Sequence, residues 1–557
     1  MADISPKTPE DLNQSPPFAN VNLYESNKVL QECAVREGAI MATADLHAFG
    51  ARAGAAENLE RGSRANANIP ILTKDASRPG MGNGVVQYDP AYHALMTISM
   101  GAGLHCSTWE HLSGNAVPSP GEHVARGATF FMAAQMEAGH CCPVTMTHAA
   151  VAALNLQPDL LKDWLPKILS RQYDPAFAPI TAKKSAMIGM GMTEIQGGTD
   201  VRANLTTAAP LDGGGAGTRY QISGHKYFMS APMCDAFLVL AQAPGGLSCF
   251  LMPRFLPDGG LNAIDFLRLK DKLGNRSNAS SEVEFHSAQA WLVGEEGQGI
   301  RTILEMVTLT RLDCAISSAG LMRFALADAI HICRHRAVFG KRLVEQPLMA
   351  RVLAHMALHS EAATMLVMRL ARAYDHTHDE GEAAYKRLMT PVVKYWVCKT
   401  APAFAYEAME CLGGIGYVED ASPLARLYRE APVNAIWEGS GNVMCLDVLR
   451  VLRQSPESVK LVLEAFAGAP SGEKRVRVLL AQLKDLVARP HTLEGNGRVL
   501  AGLLADLAIA TLMVAHAPGH IADAYLSARE AASDNGLFGA VELTSDPVPV
   551  LERALPE

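Results

Sequence analysis

The stretch IGMGMTEIQGGTDVRANLT, residues 188–206, stands where the sequence changes character. Before it, from about residue 20 to 185, the chain reads as helical. Runs such as LMTISMGAGLHCSTWEHL and ATFFMAAQMEAGHCCPVTMTHAAVAALNL are rich in Ala, Gly and Ser, which suits close helix packing. After it come short segments of β-formers, TRYQISGHKYFMS, DAFLVLAQA, LSCFLMPRF and SEVEFHSAQAWLV, punctuated by Gly, Pro, Asn and Asp. The spacing predicts a compact antiparallel β domain over 186–295. Its LDGGGAGTRY segment reads as a hairpin loop, because it lies between strands and opens no helix.

Within 188–206, Gly189, Gly191, Gly197 and Gly198 surround Thr193 and Glu194. Glycines let backbone N–H groups approach an anion closely, and a Thr hydroxyl adds a donor without charge. A pyrophosphate or flavin contact is therefore a stronger reading than a plain connecting loop. The nicotinamide fingerprint GxGxxG is not met, since Glu194 falls where its last glycine should be.

Beyond GEEGQGI the pattern turns helical again. Residues 301–335, 348–376 and 381–411 carry apolar residues near i, i+3, i+4 and i+7. With a fourth helix beginning near Asn442 they predict a four-helix bundle. More helical text runs from about 455 to 540, and SDPVPVLERALPE reads as a loose tail. The expected fold class is α+β and multidomain. Its order is an N-terminal helical domain (1–185), a middle β domain (186–295), a helical bundle (296–455) and an additional helical section (456–557).

At 557 residues the chain exceeds one ordinary core. Its 49% hydrophobic and 19% charged residues are a globular composition. A net charge of −8 excludes a global basic field for nucleic acid but not a local patch. The start, MADISPKTPEDLNQSPPFANVNLYES, has no apolar core flanked by basic residues, so neither a signal peptide nor a presequence is expected. No run reaches the roughly 18 uninterrupted apolar residues of a membrane span. Eleven cysteines without a CxxC pair predict reduced, buried thiols and a cytoplasmic location.

The motifs GxSxG, GxxxxGK[ST] and HExxH are missing. His331 and His335 have metal-ligand spacing, but no third ligand accompanies them and Arg334 and Arg336 crowd the place with positive charge, so no metal is expected. One carboxylate stands out. In NAIWEGSGN, residues 434–442, Glu438 lies between Trp437 and Gly439 at the mouth of a helix. Alone it reads equally as a catalytic base or as an acid facing a helix dipole, worth about 0.3–1 kcal/mol.

These pieces together resemble the acyl-CoA dehydrogenase flavoproteins, and within them the AidB-like branch linked to the adaptive response to alkylation. The resemblance runs from about residue 18 to about 490 and is carried, in order, by MGMTEIQGGTD, GHKYFMS, LKDKLGNRSNAS, RAVFGK, ECLGGIGY and NAIWEGSGN. It implies FAD as cofactor and an acyl-CoA thioester as substrate. By the same resemblance the flavin is wrapped by Met190, Gly191, Met192, Thr193, Gly198 and Thr199, with Ser230 beside its reactive nitrogen and Phe228 and Met229 alongside. Arg336, Phe339, Gly413 and Gly414 are implied to reach the ADP half of a flavin held by a neighbouring subunit, hence a homo-oligomer, usually a tetramer.

Glu438 matches the family's catalytic base, with Ile436, Trp437, Ser440 and Asn442 at flavin-contacting offsets. Apolar neighbours such as Ile436 and Trp437 are expected to exclude water and raise its pKa toward the operating pH. In some relatives the base comes from the first long bundle helix, but the matching residue here is Thr310. Pro347 stands where a flavin-contacting Gln usually follows the FG pair, with Gln346 one place early.

The AidB-like branch is also implied to bind double-stranded DNA through its last helical section. Residues 446–500 hold nine basic residues (450, 453, 460, 474, 475, 477, 484, 489, 498) against six acids, and Lys474, Arg475 and Arg477 are the densest point. No aromatic ladder accompanies them, so any such binding is expected to be sequence-independent and salt-sensitive. Three functions stay open: an FAD-dependent acyl-CoA dehydrogenase, a DNA-associated flavoprotein with weak dehydrogenase activity, and a flavin oxidase of the same fold acting on a small electrophile such as a nitroalkane.

Overall fold

The computed structural model describes residues 12–556 apart from 75–83, 115–116, 118, 469–472, 532–535 and 544. The first eleven residues, part of the stretch weighed above as a leader, lie outside the described residues. The chain divides into two compact units that cut across the sequence order. One comprises Glu60–Glu122 and Glu137–Asp313; the other comprises the flanking residues to 59, His123–Met136 and Cys314–Glu557.

The first of these units is built on a seven-stranded sheet: β1 (Ile188–Thr193), β2 (Thr207–Pro210), β3 (Arg219–Ser230), β4 (Ala236–Ala243), β5 (Gly246–Pro253), β6 (Ile264–Leu269) and β7 (Ser280–Val293). Their order is β1-β3-β2-β4-β5-β7-β6, with β1 also paired to β4 and β3 to β7. Tyr220, Phe237, Phe250 and Phe266 are fully buried in its core. The hairpin after β2 turns through Gly213, Gly214, Gly215 and Gly217, all with positive φ, so LDGGGAGTRY is a strand connection as its glycines suggested.

Two pairings depart from an all-antiparallel sheet, the shorter being β2 with β4 at Thr207↔Gln242. Strand β1 runs parallel to β4, from Ile188↔Ala236 to Gly191↔Val239. The reason lies in chain order, because the β2–β3 hairpin intervenes before the chain returns beside β1 in the same direction. Asp235 fixes the start of this pairing. Its carboxylate accepts from Met187 N at 2.8 Å and from Lys183 Nζ at 2.7 Å, and its own N–H donates to Met187 O.

The second unit is helical. It contains α1 (Lys28–Glu37), the greater part of α2 (Glu122–Met136) and of α3 (Gly299–His335), then α4 (Pro347–Asp375), α5 (Glu380–Cys411), α6 (Leu424–Asn434) and α7 (Gly441–Gln454). There follow α8 (Pro456–Ala467), α9 (Lys474–Val487), α10 (Gly497–His516), α11 (Gly519–Ala531) and α12 (Pro547–Ala554). The four bundle helices α3, α4, α5 and α7 fall within about two residues of their sequence-read limits. Close approach explains the small residues: a Cβ on Gly320 of α3 would lie 2.4 Å from Phe131 O of α2. Helices α3 and α10 are long and apolar enough to span a membrane by length and composition, but 89% and 56% of their most apolar windows are packed inside the protein. All eleven cysteines are buried and unbridged.

The C-terminal stretch corrects the expectation of a loose tail. Asp546 caps α12 by accepting from Val548 N, with Pro547 at its first turn, a start signal legible in the sequence. Helix α12 packs on α1 and α4. Its Arg553 is buried and forked onto Glu361 at 2.9–3.0 Å and Glu32 at 2.6–3.1 Å. Removing one partner strands a buried charge, so Arg553→Met is expected to cost about 3–5 kcal/mol. Urea denaturation of the purified variant measures this, and a loss under about 1 kcal/mol would mean that the fork is no anchor.

Candidate active site

In the sheet unit, β1 and β3 bring two of the sequence-read patches together. Met190 pairs with Ser230 and Thr193 with Phe228. Gly191 and Met229 share one face of the sheet, where Met229 Sδ lies 3.4 Å from the place a Cβ on Gly191 would occupy, and Met190, on the other face opposite Ser230, is also buried. Thr193 and Ser230 are half-buried and Phe228 is 46% exposed, so these present the accessible edge. Gly198 folds back onto Thr193, since a Cβ there would meet Thr193 Oγ1 at 2.6 Å. Thr199 is exposed beside it.

What holds this loop was not read from the sequence. Glu194 is buried and accepts from Lys226 Nζ at 2.6 Å, Leu205 N at 2.7 Å, Thr206 N at 3.2 Å and Gln196 Nε2 at 2.7 Å. One carboxylate thus ties both ends of the 195–204 segment to β3. Burial alone would raise its pKa, but the hydrogen bonds from Lys226, Thr206 and Leu205 outweigh burial and lower it to about 2. Burial pushes Lys226 down to about 8 against the opposing pull of Glu194. The result is a glycine cradle of fixed shape with its outer face open.

In the helical unit, Glu438 is a half-buried residue with φ +57°, followed by Gly439 at φ +105°. A carboxylate residue in the left-handed region costs of order 1–3 kcal/mol and persists only when its surroundings impose it. The surroundings here do so. Trp437 Nε1 donates to Asn434 Oδ1 at 2.9 Å, and Asn434 Nδ2 donates to Ser318 Oγ at 3.0 Å. Lys394 Nζ donates to Trp437 O at 2.9 Å and to Gly439 O at 2.5 Å. Ser440 is the N-cap residue of α7, and Asn442 accepts from Arg498 Nε at 2.9 Å. Ile436 is 65% exposed.

A third feature is a cleft of about 700 Å³ lined by Arg336, Val338, Leu343, Leu412, Gly413 and Gly414, among others. Arg336 donates from Nη1 to Leu412 O at 3.1 Å, while its buried Nε has no partner. Neither Gly413 nor Gly414 has an atom within 4 Å of a built Cβ, and Gly413 has φ +67°. The cleft is thus an open backbone surface lined by one guanidinium, Arg336, and one carboxylate, Glu410, and its glycine backbone beside Arg336 is where an anion fits. Nearby Phe339 is 99% exposed and Tyr417 78%. Gln346 donates to Val338 O at 2.9 Å and so braces the hairpin that carries Phe339, while Pro347 begins α4.

The remaining candidates resolve simply. Thr310 is buried and donates to Val307 O. His331 bonds Pro16 O and His335 bonds His331 O, and no group of metal-ligating side chains occurs among the described residues. In α9, Arg475 is held by Glu473, Asp523 and Glu530, whereas Lys474 and Arg477 are exposed.

Comparison with known proteins gives three family matches in chain order. Residues 13–175 match the family described as adaptive response protein AidB N-terminal domain. Residues 189–288 and 297–453 match the acyl-CoA dehydrogenase middle and C-terminal domains. The chain is 46% identical to AidB of Escherichia coli (strain K12) over 515 residues, 92% of this chain and 93% of that one. Among solved structures, ACDH-11 of Caenorhabditis elegans in complex with C11-CoA superposes with a TM-score of 0.83 at 26% identity, covering 100% of this chain and 93% of that chain. A Bacillus anthracis acyl-CoA dehydrogenase complexed with FAD shares the fold, with a TM-score of 0.65 at 16% identity over 83% of this chain and 89% of that one.

Proposed function

The chain belongs to the acyl-CoA dehydrogenase family, in its AidB-like branch, and from that premise we propose that it is an FAD-dependent oxidoreductase that desaturates acyl-CoA thioesters. The observation that carries this reading is the imposed left-handed backbone of Glu438, at the position where the family keeps its base. Strain of that kind serves a carboxylate that must be presented in one direction.

Glu438 takes the proton α to the thioester carbonyl, which needs a carboxylate within hydrogen-bond reach of that carbon. Its backbone N–H polarises the carbonyl oxygen, so that charge developing there meets a fixed dipole. The Gly191–Thr199 cradle and the Ser230 hydroxyl fit a flavin, because the glycines clear the backbone and the hydroxyls donate without charge. FAD, when bound, supplies the acceptor for the β-hydride, a task no side chain performs. Arg336, Gly413 and Gly414 would hold the ADP half of the cofactor of a second copy, and that copy would also cover Phe339 and Tyr417. The test is an anaerobic titration of FAD-loaded protein with short-, medium- and long-chain acyl-CoAs. Loss of flavin colour with at least one chain length is expected; colour unchanged by all of them removes the reading.

A second reading, association with double-stranded DNA, is favoured by one observation. Lys474, Arg477 and Lys484 are exposed, have no carboxylate partner among the described residues, and lie within about 80° of one another around α9. Arg475, by contrast, is committed to three acids. Three phosphate contacts give a salt dependence with a slope of about −3 in log–log form. Lys474/Arg477/Lys484→Ala is expected to abolish retardation of duplex DNA, whereas Arg475→Met leaves it. Equal loss in both variants would show that α9 does not present the stripe.

A further inference from the structure

Lys394 lies in the middle of α5 and is 1% exposed, yet no carboxylate partners it among the described residues. Its ammonium donates only to two backbone carbonyls, Trp437 O at 2.9 Å and Gly439 O at 2.5 Å. Taking an ammonium out of water is expensive, and a methionine would fill similar volume without that cost. Packing therefore does not account for a lysine here. The carbonyls it binds do, because they belong to the residues immediately before and after Glu438.

Glu438 and Gly439 are both left-handed, at φ +57° and +105°. Charge-assisted hydrogen bonds to these carbonyls hold the 437–438 and 439–440 peptide planes, which bracket the two left-handed residues and so restrict the direction of the Glu438 Cα–Cβ bond. The Trp437–Asn434–Ser318 chain of hydrogen bonds secures the preceding residues but reaches no atom beyond Trp437. Lys394 ties the backbone on both sides of the 438–439 turn to α5.

We infer that Lys394 is the positioning residue for the Glu438 carboxylate, a buried ammonium that clamps both neighbouring carbonyls and so presents the acid in a single direction. The inference rests on Glu438 being the base. Lys394 touches neither substrate nor flavin; it acts through the backbone. Misplacing a reacting group by about 1 Å can cost roughly 100-fold in rate, so the turnover number is the quantity at stake and not substrate affinity.

The experiment compares FAD-loaded wild type with Lys394→Met and with Lys394→Gln, which keeps two N–H donors. The first readout is amide hydrogen exchange of the 437–441 segment and needs no substrate. It is expected to quicken at least tenfold in the Met variant, about 1.4 kcal/mol of lost local protection, and less in the Gln variant. The second readout is acyl-CoA turnover, with kcat down roughly 100-fold, KM within about threefold, and partial recovery in the Gln variant. Unchanged exchange or a wild-type kcat in Lys394→Met overturns the inference. If wild type itself is not reduced by any acyl-CoA, the reading of Glu438 as base has failed, and exchange alone decides whether Lys394 holds the turn. Should the Met variant not fold, the Gln variant carries both readouts against Glu438→Gln, which should lose turnover with its exchange unaltered.

Discussion

Glu438→Gln protein should bind FAD and acyl-CoA as wild type does, yet keep its flavin oxidised when the thioester is added. An amide is isosteric with the carboxylate but takes no proton, so only the abstraction step is lost. General-base removal typically costs about 10²–10⁴-fold in rate, or roughly 2.7–5.5 kcal/mol of activation free energy. The competing account, an acid facing the dipole of α7, predicts no change in rate and about 0.3–1 kcal/mol in stability. The two are separated by stopped-flow reduction together with thermal unfolding of the same samples. Glu438→Gly sharpens the contrast. Glycine adopts φ +57° without strain, so this variant should shed the backbone cost of the turn while being inactive. A Gln variant reducing flavin within tenfold of wild type would displace Glu438 from the mechanism.

The turn around Glu438 also shows what sequence reading reaches and where it stops. NAIWEGSGN identified the acid and the helix behind it because both are local signals, a motif and an apolar period. Lys394 escaped, because a single lysine within PVVKYW reads as a residue whose charge reaches water, and only tertiary structure shows that it is buried. Lys226 escaped for the same reason, inside a strand with an accessible edge. The bundle helices were found to within about two residues by periodicity, which is blind to strand direction; hence the β1–β4 parallel pairing was not seen. In the tail, Asp546 and Pro547 form the cap and first turn of a helix, although Asp and Pro together serve equally well in a turn. The division into two units was not legible either. Helix α2 lies far from α3 in sequence and joins its unit through a contact at Gly320 that no local pattern encodes.

Glu194 is where the largest loss of stability in the sheet unit is expected. Its pair with Lys226 is inaccessible on both sides, so Glu194→Gln leaves a buried ammonium without its counter-charge, a change that typically costs about 3–5 kcal/mol. The pH dependence gives a sharper signature. With a folded pKa of about 2, below the ordinary carboxylate value, Glu194 contributes stability that is full above about pH 4.5 and is lost as pH falls toward 2. Lys226 is also depressed, to about 8, so the unfolded chain holds its proton over a wider range and stability from this group rises between about pH 8 and 10.4. In Glu194→Gln the acid-side slope should flatten, and the alkaline rise should begin at lower pH, because Lys226 has lost the partner that kept it charged. Urea unfolding across pH measures both limbs. The same substitution weakens the anchors of Leu205 and Thr206 that shape the glycine cradle, so FAD should be held roughly tenfold or more weakly, about 1.4 kcal/mol, in equilibrium dialysis. An unchanged acid limb would mean that the carboxylate titrates alike in the folded and unfolded chain, and the ion pair would then have no part in holding the loop.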